Sequence, residues 1–343
     1  MKPKTTEDVL LLLDSYLISA ALGAALELGL FWLLEQKPLS AAIVAQKLRI
    51  PGHRCQYWLQ LLERSGLIES GAEGYVPSSV ARTAILNSYS QESWALLAEE
   101  ERSSFPTIFD FTASLRDPTS VWERLNFSPT NYVQLMKKDP DRARRFTRML
   151  YEIHLPLAPE IVSQLDMEGI RNMMDLGGGS GVISMALLKQ YPDLKAVVVD
   201  IENVCLAGQT IARENGLQDR LQYHVADFLL DKIPSGFDMV LECDVNIYTL
   251  DLFRKIGTAL NPGGRLVIID QLTSTRGLAH PSRITWALQG AMSNPDYAPP
   301  TSSEVKNKLT ASGFTIVNQG ALPRRAGQRW ASHLEIIEAV TKS

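Results

Sequence analysis

The chain has 343 residues, of which 45% are hydrophobic and 21% charged, and a net charge of −4. That gives room for two domains with a sizeable core and no bulk electrostatic case for nucleic acid or an anionic membrane. Cys55, Cys205 and Cys243 are widely spaced without a CxxC pair, and no set of metal ligands stands out, which argues against a disulfide framework or a structural zinc site.

The N-terminal stretch MKPKTTEDVLLLLDSYLISAALGAALELGLFWLLEQ is the segment that could pass for a membrane span. Asp14, Glu27 and Glu35 interrupt it, leaving uncharged runs well short of the roughly 20 residues a span needs, and no signal-peptide cleavage pattern follows. The expectation is a buried or partner-packed helix in a cytoplasmic protein.

Residues 1–95 read as a helix-rich domain that closes on a small unit. LSAAIVAQKL is a short helix capped by Ser40, and RIPGH a turn. RCQYWLQLLERSGLI is a second helix, with Trp58, Leu59, Leu62 and Leu67 on one face and Gly66 as its stop. ESGAEGYVPSS follows as a hairpin with Gly71 and Gly74 at its turn, completing a winged-helix pattern. The second helix offers only Arg54 and Arg64 as cations, too few to track phosphates, so a protein–protein role is favoured over DNA binding. Residues 96–165 read as a mostly helical linker that supplies Phe105, Trp122, Tyr132, Phe146 and Tyr151.

From residue 171 the pattern turns to alternating strands and helices. RNMMDL, KAVVVD, LQYHVAD, FDMVLEC and RLVIID are strand-like runs, interleaved with helical segments such as ISMALLKQYP and VCLAGQTIARENG. Residues 166–343 are therefore expected to form an α/β domain, a doubly wound and mostly parallel sheet. In such a sheet ligands bind outside the carboxyl ends of the strands.

The first of those ends reads Asp175-x-Gly177-x-Gly179-x-Gly181, with Gly178 as a further glycine. It has no lysine for a nucleotide P-loop, and Val182 stands where a dinucleotide fingerprint has its third glycine. An acid at this point suits a ligand carrying an ammonium group. Asp200 ends the next strand, where a carboxylate can accept two ribose hydroxyls. Asp227 ends the third, placed to accept from an adenine amine, with Phe228 beside it to pack the ring.

On MMDLGGGSGVISMALLKQYPDLKAVVVDIENV, GLQDRLQYHVADF, ALNPGGRLVIID, ARRFTRMLYEIHLPLAPEIV and ALELGLFWLLEQKPLSAAIVAQKL, the chain resembles the S-adenosylmethionine (SAM)-dependent O-methyltransferases of the caffeate, acetylserotonin and bacterial small-molecule type. The resemblance covers nearly the whole length. It implies a winged-helix dimerisation domain followed by a Rossmann-like class I methyltransferase domain, interlocked as a homodimer. It sets the methionyl part of SAM against Gly177, Gly178 and Gly179 with Asp175 nearby, the ribose on Asp200, and the adenine between Ile201 and Phe228 with its amine on Asp227. It also sets Phe146, Met149 and Leu150 on a substrate-contacting helix, and Trp286 and Met292 on a helix that roofs the pocket.

The resemblance breaks after the fourth strand. The family usually continues with a histidine that takes the proton from a phenol; FDMVLECDVNIYTLDLFRKIGTAL has none, and an ungapped match sets Ile247 at that position and Cys243 at a SAM-contacting one. A general base contributes about 10²–10⁴-fold, so its loss calls for another base or for a nucleophile that needs little help. Tyr248, His154 and His280 are the candidate bases, and Arg283 is a candidate partner for a substrate acid. Two readings compete with methyl transfer to oxygen or carbon of a small aromatic or conjugated metabolite. One is a SAM-binding enzyme of the same fold that carries out rearrangement, dehydration or hydroxylation; the other is a winged-helix regulator.

Overall fold

A computed structural model describes residues 2–126, 131–273, 284–322 and 334–341. It divides into two compact units, Met1–Phe109 and Asp110–Ser343.

The first unit opens on a helix, Thr6–Glu27, whose start is fixed by a reciprocal cap: Thr5 Oγ1 accepts from the Asp8 N–H while the Asp8 carboxylate accepts from the Thr5 N–H. Its first half leaves Leu10, Leu12, Leu13, Tyr16 and Leu17 exposed, and only Ala21, Ala25 and Leu26 are buried. By length and composition alone this helix is long and apolar enough to cross a membrane. Helices Leu30–Gln36, Ala41–Leu48 and Gly52–Arg64 then lead to a hairpin, β1 (Ile68–Gly71) and β2 (Gly74–Pro77). Ser40 caps the second of these helices as expected. Leu59 and Leu62 lie in the unit's own core with Leu30, Phe31 and Leu34, and Trp58 Nε1 donates to the Ala21 carbonyl at 3.0 Å. The apolar face of the second winged helix is therefore interior packing, not the partner surface expected for it. The large exposed apolar band belongs to the first helix. At the hairpin, Gly74 has φ +132°, and a Cβ there would sit 2.4 Å from the Leu39 carbonyl carbon, because Leu39 and Tyr75 bond backbone to backbone.

The second unit carries a seven-stranded sheet in the order β5-β4-β3-β6-β7-β9-β8. Its strands are β3 (Asn172–Leu176), β4 (Lys195–Asp200), β5 (Leu221–Val225), β6 (Phe237–Cys243), β7 (Leu260–Asp270), β8 (Phe314–Ala321) and β9 (Glu335–Thr341). β3 to β7 are parallel, and β9 runs antiparallel to both β7 and β8. Helices Val182–Gln190 and Glu202–Glu214 bury apolar side chains on one face of the sheet, while Leu250–Ala259 and Ser302–Ala311 cover the other. β3 lies between β4 and β6, so the chain reverses its direction of travel across the sheet at the β3–β6 boundary. In a doubly wound sheet such a reversal is where ligands bind, which directs attention to the carboxyl edge beside Leu176 and Cys243.

Gly74→Ala and Gly66→Ala both place a Cβ on a left-handed backbone, but only Gly74 has main chain in the way. Chemical denaturation is expected to show a loss of about 1–2 kcal/mol for Gly66→Ala and a clearly larger one for Gly74→Ala. Equal losses would contradict the close approach at Leu39.

Candidate active site

The loop after β3 is shaped by its glycines. Gly177, Gly179 and Gly181 have φ of +70°, +56° and +73°, values a side chain disfavours. Gly178 is needed for a different reason: a Cβ there would lie 2.4 Å from Asp175 Cγ. Asp175 is thus folded beneath the loop, 2% exposed, and accepts from Ser184 Oγ at 2.5 Å. Burial pushes its carboxyl up to about 6, against the pull of that hydroxyl. This corrects the expectation that Asp175 meets a ligand's ammonium group: it serves as the floor of the loop.

Asp200 occupies the position that its strand-end spacing implied. Its Oδ1 accepts from the Ile201 N–H at 2.8 Å and its Oδ2 from the Gly179 N–H at 3.0 Å, so the loop and the β4 end are tied through one carboxylate. Burial pushes it up to about 6 against those two donors. A carboxylate has about four acceptor sites, and with one on each oxygen in use it retains one on each. That fits a pair of neighbouring hydroxyls, and the bare backbone of Gly177–Gly179 beside it fits the approach of the rest of a SAM molecule. Cys205 Sγ holds the Asp200 carbonyl from behind at 3.1 Å.

β5 aligns Val225 with Asp200, and the Ala226 N–H donates to the Asp200 carbonyl, which places Asp227 at the next position along the edge. Phe228 lies over the first glycine: a Cβ on Gly177 would be 3.4 Å from Phe228 Cε1 and 3.0 Å from Val245 Cγ2. Ile201 is buried with Met136, Ala143 and Val204 under the helix Tyr132–Lys138. Lys137 of that helix donates to Asp227 Oδ2 at 3.1 Å.

The segment that replaces the family's histidine run is strained. Asp244 and Asn246 both take left-handed φ, +55° and +60°, a cost of order 1–3 kcal/mol each that clusters at functional sites. Asp270, at the end of β7, pays for this by accepting from the Asn246 N–H at 3.0 Å, from the Gln271 N–H at 2.6 Å, and from the Tyr248 hydroxyl. Val245, between the two strained residues, is thereby seated against Gly177. Ile247 turns into the apolar layer under the sheet.

The arrangement disfavours both described candidate bases. Tyr248 is 7% exposed and donates its proton to Asp270; burial and then the Asp270 charge hold that phenol protonated, far above its usual range. His154 closes the helix Pro140–His154, which starts beside the first turn of Glu202–Glu214 and ends beside its last, where Arg148 reaches Glu214 at 2.6 Å and Tyr151 reaches Asn215 at 3.3 Å. His154 therefore sits at the helix end remote from Asp200, with Nδ1 on the Leu150 carbonyl at 2.8 Å. His280 and Arg283 lie outside the described residues.

Cys243 is half-buried at the end of β6, and burial, then Asp244, raises its thiol well above the usual range. The thiol is therefore neutral and gives no cationic contact. Glu242 is fully buried with neither carboxylate oxygen hydrogen-bonded among the described residues, and burial, then Asp270, raises it well above the ordinary glutamate range. Phe146 is half-buried and meets the Tyr132 ring at 5.7 Å; Met149 is buried and Leu150 half-buried on the same helix. Met292 is buried and Trp286 half exposed on the helix Ile284–Ser293, whose Ser293 carbonyl accepts from Ser120 at 2.7 Å. Three participants escaped sequence reasoning. Asp270 had a visible signal, since RLVIID ends in an acid just as KAVVVD does; Lys137 and Val245 had none.

An O-methyltransferase domain model matches residues 113–315, and an O-methyltransferase dimerisation domain model matches residues 10–87. Among relatives, the chain is 28% identical to an N,N-dimethyltransferase, OxyT, of Streptomyces rimosus over 77% of this chain and 78% of that one. It is 26% identical to an L-tyrosine C(3)-methyltransferase of Streptomyces lavendulae over 75% and 72%. The solved structure of the mitomycin 7-O-methyltransferase MmcR shares the fold at a TM-score of 0.81 and 23% identity, covering 98% of this chain and 97% of that one. With the domain match spanning more than half of its length, the chain belongs to the O-methyltransferase family, a dimerisation domain joined to a SAM-dependent methyltransferase domain.

Proposed function

We propose that this enzyme methylates an oxygen or carbon of a small aromatic or conjugated metabolite, and that it does so as a cytoplasmic homodimer without nucleic acid or membrane as partner. The observation that carries the cofactor assignment to residues is the Asp200 carboxylate, anchored by two main-chain N–H groups with one acceptor site left on each oxygen. SAM supplies an electrophilic methyl group on a positively charged sulfur. What the chain contributes is grip and aim. Asp200 accepts the ribose hydroxyls, Gly177 to Gly179 expose main chain to the amino-acid portion, and Phe228 and Asp227 serve the adenine. Ile201 lies beside that subsite beneath the Tyr132–Lys138 helix, and Gly181 starts the helix Val182–Gln190 behind it. Cys243 enters this reading only as a neutral wall of the crevice.

Holding nucleophile and methyl carbon in line supplies much of the rate in such a transfer. The described part of the crevice holds carboxyl groups and a locked phenol in place of a free imidazole, which favours an acceptor that is already acidic, a phenol or enol oxygen or an electron-rich ring carbon. Relatives named for N- and for C-methylation match the chain, as does a solved structure named for O-methylation. On the substrate side, Phe146 and Leu150, with Met149 behind them, and Trp286 with Met292, offer the apolar surface an aromatic acceptor needs. The homodimer rests on the exposed band of the first helix, within the residues matched by the dimerisation domain model. Three free thiols suit a reducing compartment.

Calorimetry with S-adenosylhomocysteine (SAH) tests the assignment. Each lost hydrogen bond to a charged acceptor is worth about 1.5–3 kcal/mol, so Asp200→Ala is expected to weaken SAH binding by about 100-fold or more, with circular dichroism unchanged. No SAH uptake by the wild type, or equal affinity in the variant, would falsify it. Because an ionised Asp200 offers both hydroxyls a charged acceptor and a protonated one turns an acceptor into a donor, SAH affinity is expected to fall as pH drops through about 6, by up to about tenfold per unit. Asp200→Asn should flatten that slope, and a slope that survives in the variant removes Asp200 as its source. For the assembly, Leu13→Glu with Leu17→Glu is expected to shift sedimentation from dimer to monomer; an unshifted dimer would move the interface elsewhere.

A further inference from the structure

The loop that follows β5 is held by one ammonium. Lys255, on the helix Leu250–Ala259, donates from Nζ to the carbonyls of Phe228 at 2.7 Å, Leu229 at 3.2 Å and Asp231 at 2.7 Å, so its three N–H groups all go to main chain. No main-chain N–H of the described residues donates to any of these three carbonyls. Inside the loop the Leu230 and Asp231 N–H groups both donate to the Asp227 carbonyl, at 2.8 and 2.7 Å, and the Asp231 carboxylate accepts from the Asp227 N–H. The result is a single turn closed at one end by an acid and at the other by a cation.

Side-chain burial anchors this loop weakly. Leu229 is 46% exposed and Leu230 80%, and residues 227–231 lie outside any strand or helix. The helix that carries Lys255 is itself fixed: Leu252, Phe253, Ile256 and Ala259 are buried in the layer under the sheet, and Thr249 Oγ1 accepts from the Leu252 N–H at 3.1 Å. Its start is also the end of the turn that seats Val245. One helix therefore sets two residues that converge on Gly177, where an added Cβ would lie 3.0 Å from Val245 Cγ2 and 3.4 Å from Phe228 Cε1.

We propose that Lys255 is a positioning residue for the cofactor crevice, holding Phe228 over Gly177 before any ligand arrives. The inference rests on the cofactor reading above and concerns the shape of the loop, not a contact with the ligand. Without the ammonium, three carbonyls turn to water, and the turn keeps its form only through its own two amides and the Asp231 cap. A ligand that needs the loop formed must then supply the ordering that Lys255 supplies in advance, and its affinity falls accordingly.

The test pairs amide hydrogen exchange with SAH calorimetry on the full-length protein, as wild type, Lys255→Met and Arg254→Met. Arg254 is the control: on the same helix, it pairs with Asp251 at 3.1 Å and its side chain is 59% exposed. Lys255→Met is expected to speed exchange at residues 226–231 in the ligand-free protein and to weaken SAH by roughly tenfold or more. Saturating SAH is expected to restore protection there, because the ligand re-forms the loop. Arg254→Met is expected to change neither readout. Faster exchange at 226–231 with SAH affinity unchanged overturns the proposal, since the ligand would then be indifferent to the shape of the loop. So does unchanged exchange, or a rise shared equally by β3 to β7, which would make Lys255 a support of the sheet, or an equal loss of affinity in Arg254→Met. A wild type that takes up no SAH brings down the cofactor reading and the positioning role together, whereas the other results remove the positioning role alone.

Discussion

The second unit is organised around two contacts between a buried carboxylate and the main chain of the glycine loop, one of which, under Gly178, leaves no room for a Cβ. Asp175 fills the space under Gly178, and Asp200 takes the N–H of Gly179. The loop is therefore fastened at its floor by an acid from its own strand and at its side by an acid from the next. Left-handed φ at Gly177, Gly179 and Gly181 follows from this double fastening, because the chain must turn around both groups within five residues. The helix Val182–Gln190 then starts with no side-chain cap, leaving its first N–H groups directed at the crevice.

The electrostatic consequence is unusual for so buried a place. Asp175, Asp200 and Asp270 are all pushed up to about 6 by burial, and Glu242 is raised well above the ordinary glutamate range. Crowded acids of this kind destabilise one another and the folded chain, and stay in place when the edge serves a positively charged ligand. Linkage gives the sign: for each of these acids the folded form holds its proton more tightly than the unfolded chain. Their contribution is thus fully present below about pH 4, the ordinary carboxylate range, and is lost as pH rises through about 6. On the proposed cofactor placement, a sulfonium at this edge would offset part of that penalty.

Much of this was legible in the sequence because it is local. Glycine spacing, acids at strand ends and the two-then-3.6 alternation are short-range patterns, and they placed β3 to β7, the loop and Asp200 correctly. The last two strands were not read: EIIEAVT carries Glu338 into a buried strand position, and FTIVNQGA is polar over its exposed second half, so neither shows the expected apolar run. The role of Asp175 was misjudged for a different reason. Residue spacing tells that an acid stands at a strand end, but whether it turns outward or under the loop depends on Ser184, nine residues on, and on the missing Cβ of Gly178. Lys137 meets Asp227 across 90 residues of chain, and no local pattern announces such a pair.

The departure from the family's histidine is best understood through Asp270. In this chain that acid is consumed in holding a strained turn: it accepts from the Asn246 N–H and the Tyr248 hydroxyl, and so presses Val245 onto Gly177. A turn with two left-handed non-glycine residues survives only when something over-determines it, and here an acid bonded three ways does so. Ile247, which the ungapped match sets at the histidine position, is drawn into the apolar layer under the sheet, while Val245 supplies an apolar wall at Gly177. Selection for a well-shaped crevice over proton abstraction is coherent only if the acceptor reaches the site already nucleophilic, which is why the geometry of Val245 and the acidity of the proposed substrate belong to one physical account.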